Sequence, residues 1–164
     1  MNLSFLHIAQ IILTLSSPAA AAADVDECAA NRLAVLDTIS GEAAEFTVAV
    51  VDTPATLSRG LMMVEYMPQN AGMLFVFPQT REVSFWMKNT LIPLDMLFID
   101  DAGYVASIHE EAIPHDITSI PSGSAVRYVL EVNGGLVDEL GLAPGDKVIN
   151  PAIGTGCANI ETRS

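Results

Sequence analysis

The sequence predicts a mainly β domain of the α+β kind, a compact β-barrel or sandwich with two short helices. Three observations lead there. Short apolar runs rich in β-branched and aromatic residues recur at close spacing, each bounded by Gly, Pro or polar residues. Only two segments carry helix start and stop signals, and both are short. The chain has 164 residues, 51% hydrophobic and 16% charged, which suits one domain with a real core and excludes disorder, coiled coil and collagen.

Residues 24–44 are mixed and acidic and read as a tethered N-terminal lead-in. In Glu45–Val51, Phe46, Val48 and Val50 alternate with the period of a half-buried strand. Thr53-Pro54 supplies an N-cap and a proline at the first helical position, opening a short helix through Leu61 or Met62 that Gly60 weakens near its end. Gly72–Phe77 and Val83–Met87 are apolar runs bounded by Pro78 and polar residues, hence strands. Asp95–Ile99 and Tyr104–His109 flank Asp100-Asp101-Ala102-Gly103, the clearest hairpin in the chain. Ala125–Val132 is a further strand, and Asn133 is placed to cap a helix of one or two turns over Gly134–Leu140 that Gly141 ends. Pro144-Gly145-Asp146 turns into Lys147–Ile149. The β-rich domain therefore covers 45–150, with 151–164 as a C-terminal tail.

Charge is placed as informatively as it is counted. The formal net charge is −13, from 20 acidic against 7 basic side chains, and such a surface repels the phosphates of nucleic acid. Every Asp, Glu, Lys and Arg lies after residue 23. Residues 1–23 read as a secretory signal peptide. Apolar Ile8–Leu15 is followed by the helix-breaking Ser16-Ser17-Pro18, then by Ala21 and Ala23 in the small-x-small cleavage pattern. The segment before the apolar run departs from the usual layout in having no Lys or Arg. A retained anchor needs about 20 continuous apolar residues, which Gln10 and the Ser-Ser-Pro break deny it. The expectation is a periplasmic or secreted protein with no stable membrane span after cleavage. In an oxidising compartment Cys28 and Cys157 are expected to form a disulfide, worth roughly 5 kcal/mol on chain entropy.

The central blocks carry a family likeness. Arg59-Gly60-Leu61-Met62, Gly72-Met73-Leu74-Phe75-Val76-Phe77, Phe85-Trp86-Met87-Lys88-Asn89-Thr90 and Ile92-Pro93-Leu94-Asp95-Met96 stand in this order. Tyr128-Val129-Leu130-Glu131-Val132-Asn133-Gly134-Gly135 and Pro144-Gly145-Asp146 follow. Over about residues 45–150 the chain resembles the prokaryotic family known as domain of unknown function 192. The resemblance implies a small, mostly β and often exported domain, and brings no catalytic residues with it.

The chemistry worth weighing lies in Phe85–Asp95. On a strand, Trp86 and Lys88 share the face opposite Phe85 and Met87, so one side is core and the other presents an indole, an ammonium and then the Asn89 amide. Asp95 opens the next strand beyond Pro93, within expected reach of Lys88, and Arg59, Glu131 and Asn133 join if the strands pack suitably. A cation beside an aromatic face, with amide and carboxylate groups near, suits a small polar or anionic ligand. A purely structural arrangement fits the same residues: Asn89-Thr90 caps a turn, and Lys88 pairs with Asp95 or Glu131 to satisfy a partly buried charge.

Two other clusters are weaker. Met62, Met63 and Met67 have near-helical spacing suited to Cu(I), but core methionine explains them as well. His109-Glu110-Glu111 with His115-Asp116 matches no standard zinc spacing. No metal or cofactor is expected, and no G-x-S-x-G, P-loop or G-x-G-x-x-G occurs. The leading expectation is a binding module for a small polar or anionic ligand or for an envelope protein. The alternatives are a small hydrolase or lyase using Asp95 or Glu131 with Lys88, and a structural envelope accessory protein.

Overall fold

The computed structural model of the protein describes residues 28–157. The expected signal peptide over 1–23 and the end of the tail over 158–164 lie outside the described residues. Chain order is β1 (Arg32–Leu36), β2 (Ala43–Val51), α1 (Pro54–Arg59), β3 (Ala71–Arg81), β4 (Ser84–Phe85), β5 (Leu94–Ile99), β6 (Val105–Ala112), β7 (Ile120–Pro121), β8 (Val126–Asn133), α2 (Leu136–Leu140) and β9 (Lys147–Ile149).

Seven strands form one sheet in the order β6-β5-β8-β3-β2-β1-β9, while β4 and β7 pair as a separate ribbon. Within the sheet β2 and β3 run parallel and the other pairs antiparallel. The sheet curls into a half-barrel. Its outermost strands touch at one end, where Tyr104 bridges Lys147 and the Val148 N–H donates to Gly103 at 2.8 Å.

Both faces of the central strands are buried, against different partners. One apolar cluster fills the concavity: Leu33, Val35, Phe46, Val48, Leu74, Leu97, Ile99, Leu130 and Val132 are among its members. The other lies on the opposite face, where Phe75, Phe77, Met96, Phe98 and Val129 are roofed by side chains from α1 and from the connections over 60–70, 82–93 and 113–125. Strand residues alternate between the two, as a period of two requires.

Helix α1 begins as its signals require. Thr53 is the N-cap in a reciprocal capping box with Thr56, Pro54 follows, and the last helical residue is Arg59, short of the expected Leu61 or Met62. Gly60 stops it with φ 49° and ψ −137°, a conformation costly for a residue with a Cβ. A Cβ there would also stand 3.1 Å from the Phe75 ring.

Four expectations are corrected. The lead-in contributes to the sheet: β1 pairs with β2 and β9, and its Leu33, Ala34 and Val35 are buried. Val83–Met87 pairs only over Ser84–Phe85, because the Met87 N–H turns away to the Asp116 carbonyl at 2.8 Å. Strand β3 continues past Pro78 to Arg81, the proline falling where the register with β8 breaks and no ladder donor is needed. Asn133 does not cap α2. It ends β8, its Nδ2 donates to the Met67 and Pro68 carbonyls at 3.1 and 3.0 Å, and the N-cap is Gly135 with φ 87°.

Cys28 and Cys157 are bonded, their Cα atoms 4.6 Å apart across a sequence separation of 129. Asn150 strengthens the same junction, donating from Nδ2 to the Ala30 and Arg32 carbonyls at 2.9 and 2.7 Å. Among the described residues no helix is long and apolar enough to cross a membrane.

Candidate functional site

On β8, Glu131 stands opposite Met73 of β3 and Met96 of β5. Residues directly opposite in a ladder share a face, so the Glu131 side chain is on the roofed side with both methionines. It is 4% exposed. Among the described residues its carboxylate has no hydrogen bond and no ion pair. Burial alone pushes the carboxyl from 4.5 up to about 8, so it is protonated at neutral pH.

The side chain borders a cleft of about 500 Å³. Phe75 and Phe77, alternate residues of β3, supply one wall, and Phe85 of β4 crosses them edge to face, with centroids 5.1 and 6.4 Å away. Trp86 adds a wall that is 49% exposed. The α1 end adds Arg59 and Gly60, and the bare Gly60 backbone is what lets that end approach Phe75 so closely. Arg81 lines the cleft with its guanidinium 5.5 Å from the Phe77 ring centroid. Thr90, buried, adds a hydroxyl. The single ion pair among the described residues is Arg32–Glu45 at 3.3 Å, away from the cleft, so neither lining arginine is paired.

The roof is held by main-chain bonds between separate connections. The Met63 N–H donates to the Asn89 carbonyl at 2.8 Å, and the His115 N–H to the Thr90 carbonyl at 3.2 Å. Met63, Asn89 and His115 all have positive φ, at 62°, 57° and 65°. Backbone outliers of this kind persist only where their surroundings hold them.

A family model described as "Uncharacterized ACR", domain of unknown function 192 (DUF192), matches residues 35–149. The chain belongs to that family. No curated protein matches it significantly. Two solved structures are similar. One is described as a candidate transcription regulator from Sinorhizobium meliloti 1021, 44% identical, with a TM-score of 0.72 over 74% of this chain and 93% of that one. The other is a protein of unknown function from Novosphingobium aromaticivorans DSM 12444, 37% identical, with a TM-score of 0.69 over 72% of this chain and 83% of that one.

Within this DUF192 domain the residues singled out in the sequence divide. Arg59, Trp86 and Glu131 line one cleft. Lys88 is exposed beside it, its Nζ 5.1 Å from the Trp86 ring centroid, and makes no ion pair with Asp95 or Glu131. Asn89 contributes its backbone to the roof and Asn133 ties β8 to the connection after α1, so both are framework.

Asp95 is fully buried and committed elsewhere. One carboxylate oxygen accepts from the Glu111 N–H at 2.7 Å and the other from the Val137 N–H at 2.8 Å, near the start of α2. It stands opposite Val132, one register step from Glu131. The two carboxyls therefore sit on opposite faces of the sheet and cannot act as a pair. That removes the acid–base arrangement built on Asp95 with Lys88 or with Glu131.

The sequence reading missed Phe75, Phe77, Arg81 and Thr90. The Phe75-x-Phe77 alternation was a usable signal for an aromatic face; Arg81 lay beyond the expected strand end. The methionines spread out: Met67 is core, Met62 lines the cleft and Met63 is exposed. Among the described residues no three His, Cys, Asp or Glu side chains converge to hold a metal.

Proposed function

We propose that this DUF192 domain is an exported binding module for a small molecule, held in the cleft above Glu131. One observation carries the reading: a buried carboxyl with no hydrogen-bond partner among the described residues opens onto a cleft walled by aromatic rings. An unpartnered polar group costs about 1–3 kcal/mol when buried, and a ligand that supplies the missing hydrogen bond recovers it. About 500 Å³ falls in the range usual for small-ligand sites. The Cys28–Cys157 bond supports export, since disulfides persist in oxidising compartments. The regulator description belongs to the Sinorhizobium meliloti protein. For this chain a net charge of −13 favours a small ligand over nucleic acid.

A second reading rests on the Glu131 carboxyl itself. An acid titrating near 8 is a competent proton donor at neutral pH, so a bound substrate with a basic leaving group would meet a general acid. The cleft offers it no second carboxylate or imidazole, which is why binding is preferred.

Native mass spectrometry of protein purified from its own envelope tests the proposal. A small-molecule adduct is expected on the wild type and not on Ser84→Trp, which places an indole at the cleft mouth from an exposed position. Wild-type protein with no adduct would leave the structural accessory reading.

A further inference from the structure

The cleft gathers three ionisable side chains that have no hydrogen bond or ion pair among the described residues: Arg59, Arg81 and Glu131. In a chain with 20 acidic and 7 basic side chains, two of the few cations line the same cleft. Both are on the exposed side of it, while Glu131 is on its buried side. The rings of Phe75, Phe77 and Phe85 line the same cleft.

Resting on the reading of the cleft as a binding site, we infer that its ligand is an amphipathic organic anion. A carboxylate or similar monoanion meets Arg59 and Arg81, an apolar body lies against the phenylalanines, and a neutral hydrogen-bond acceptor reaches Glu131. Each part follows from one physical requirement. Guanidinium groups are forked donors matched to planar anions, and Arg81 lies over the Phe77 ring, 5.5 Å from its centroid, on the cleft lining. The rings reward apolar area on the ligand. Desolvation keeps the Glu131 carboxyl neutral, so it presents an O–H donor in place of a negative charge. An ammonium ligand would face two cations and would need Glu131 ionised where burial opposes it.

Trp86 is the only tryptophan in the chain and lines the cleft, so its emission reports occupancy. Three probes of like skeleton separate the ligand classes: 4-hydroxyphenylacetate, tyrosol and tyramine, read with excitation at the red edge where only indole absorbs. The carboxylate is expected to bind at least about tenfold tighter than the neutral alcohol, the amine weakest, and added salt to narrow the gap. The double variant Arg59→Gln, Arg81→Gln is expected to equalise carboxylate and alcohol while alcohol binding persists. Tightest binding by tyramine, or equal binding of carboxylate and alcohol to the wild type, would overturn the anion assignment and leave the cleft standing as a site. Silence of Trp86 to all three, with an adduct still present on envelope-purified protein, would also overturn it alone. Silence together with no adduct would remove both readings.

Discussion

Asp95 and Glu131 are both buried carboxyls, on strands that lie side by side, and the protein treats them oppositely. Asp95 faces the concave cluster side, where each of its oxygens accepts a backbone N–H and the group fastens β6 and α2 to β5. Glu131 faces the roofed side, where no protein donor reaches it and the cleft begins. The concave cluster is covered by α2 and by Leu142 and Ile153 and closed where Tyr104 meets Lys147; the roofed one is covered by α1 and long connections, which leave the cleft. The β5–β6 register break at Asp95 and the start of α2 supply the two donors that satisfy it. Glu131, in regular register with Met73 and Met96, meets no such donor and faces the cleft.

The contrast can be broken from either side. Reducing Cys28–Cys157 is expected to have the largest effect, a loss of stability of up to about 5 kcal/mol on chain entropy, read by denaturant unfolding. The same reduction should add 2 Da or so to the mass, two hydrogens, and should leave the Trp86 emission of the folded state unchanged. Next comes Asp95→Ala, which strands two backbone donors; a loss of about 3–5 kcal/mol is expected, and a loss under about 1 kcal/mol would show that water replaces the carboxylate freely.

Glu131→Gln should move the other way. The folded-state carboxyl titrates near 8 and the unfolded one near 4.5, so between these values the unfolded chain has released a proton that the folded one retains. Stability of the wild type therefore falls as pH rises from 4.5 to 8. The Gln variant lacks that slope, and its advantage is expected to grow to about 2–4 kcal/mol at the upper end and to vanish at the lower. Parallel stability–pH curves for the two proteins would show that Glu131 is not held neutral. Gly60→Ala should cost least, about 1–3 kcal/mol, through its positive φ and its closeness to Phe75, and should shift Trp86 emission by moving the cleft wall.

Much of the fold was legible because strand periodicity and turn chemistry are local. Phe46, Val48 and Val50, the Asp100–Gly103 hairpin and the Thr53-Pro54 helix start all announced themselves. Strand β1 did not: Leu33, Ala34 and Val35 are buried in succession, so a strand covered on both sides showed no alternation. The site was legible by residue type but not by face. Trp86 and Phe85, expected on opposite faces of one strand, line the same cleft because pairing stops at Phe85, and relating Asp95 to Glu131 needed the β5–β8 register, which no single strand encodes. Arg81 was hidden for the same reason, since only the pairing with β8 shows that β3 outlasts Pro78.

The bonds that lash the roof together, Met63 to Asn89, Met87 to Asp116 and His115 to Thr90, run from main chain to main chain. Buried side chains of the same connections, Leu61, Met67, Val83, Met87 and Ile120, and the Ser122 hydroxyl that accepts the Val83 N–H, complete the hold. Met63, Tyr66, Trp86, Ile113 and Ile117 project outward from the same connections. Of these, Trp86 lines the cleft, so its substitution would alter what the cleft admits while leaving the main-chain bonds of the frame in place.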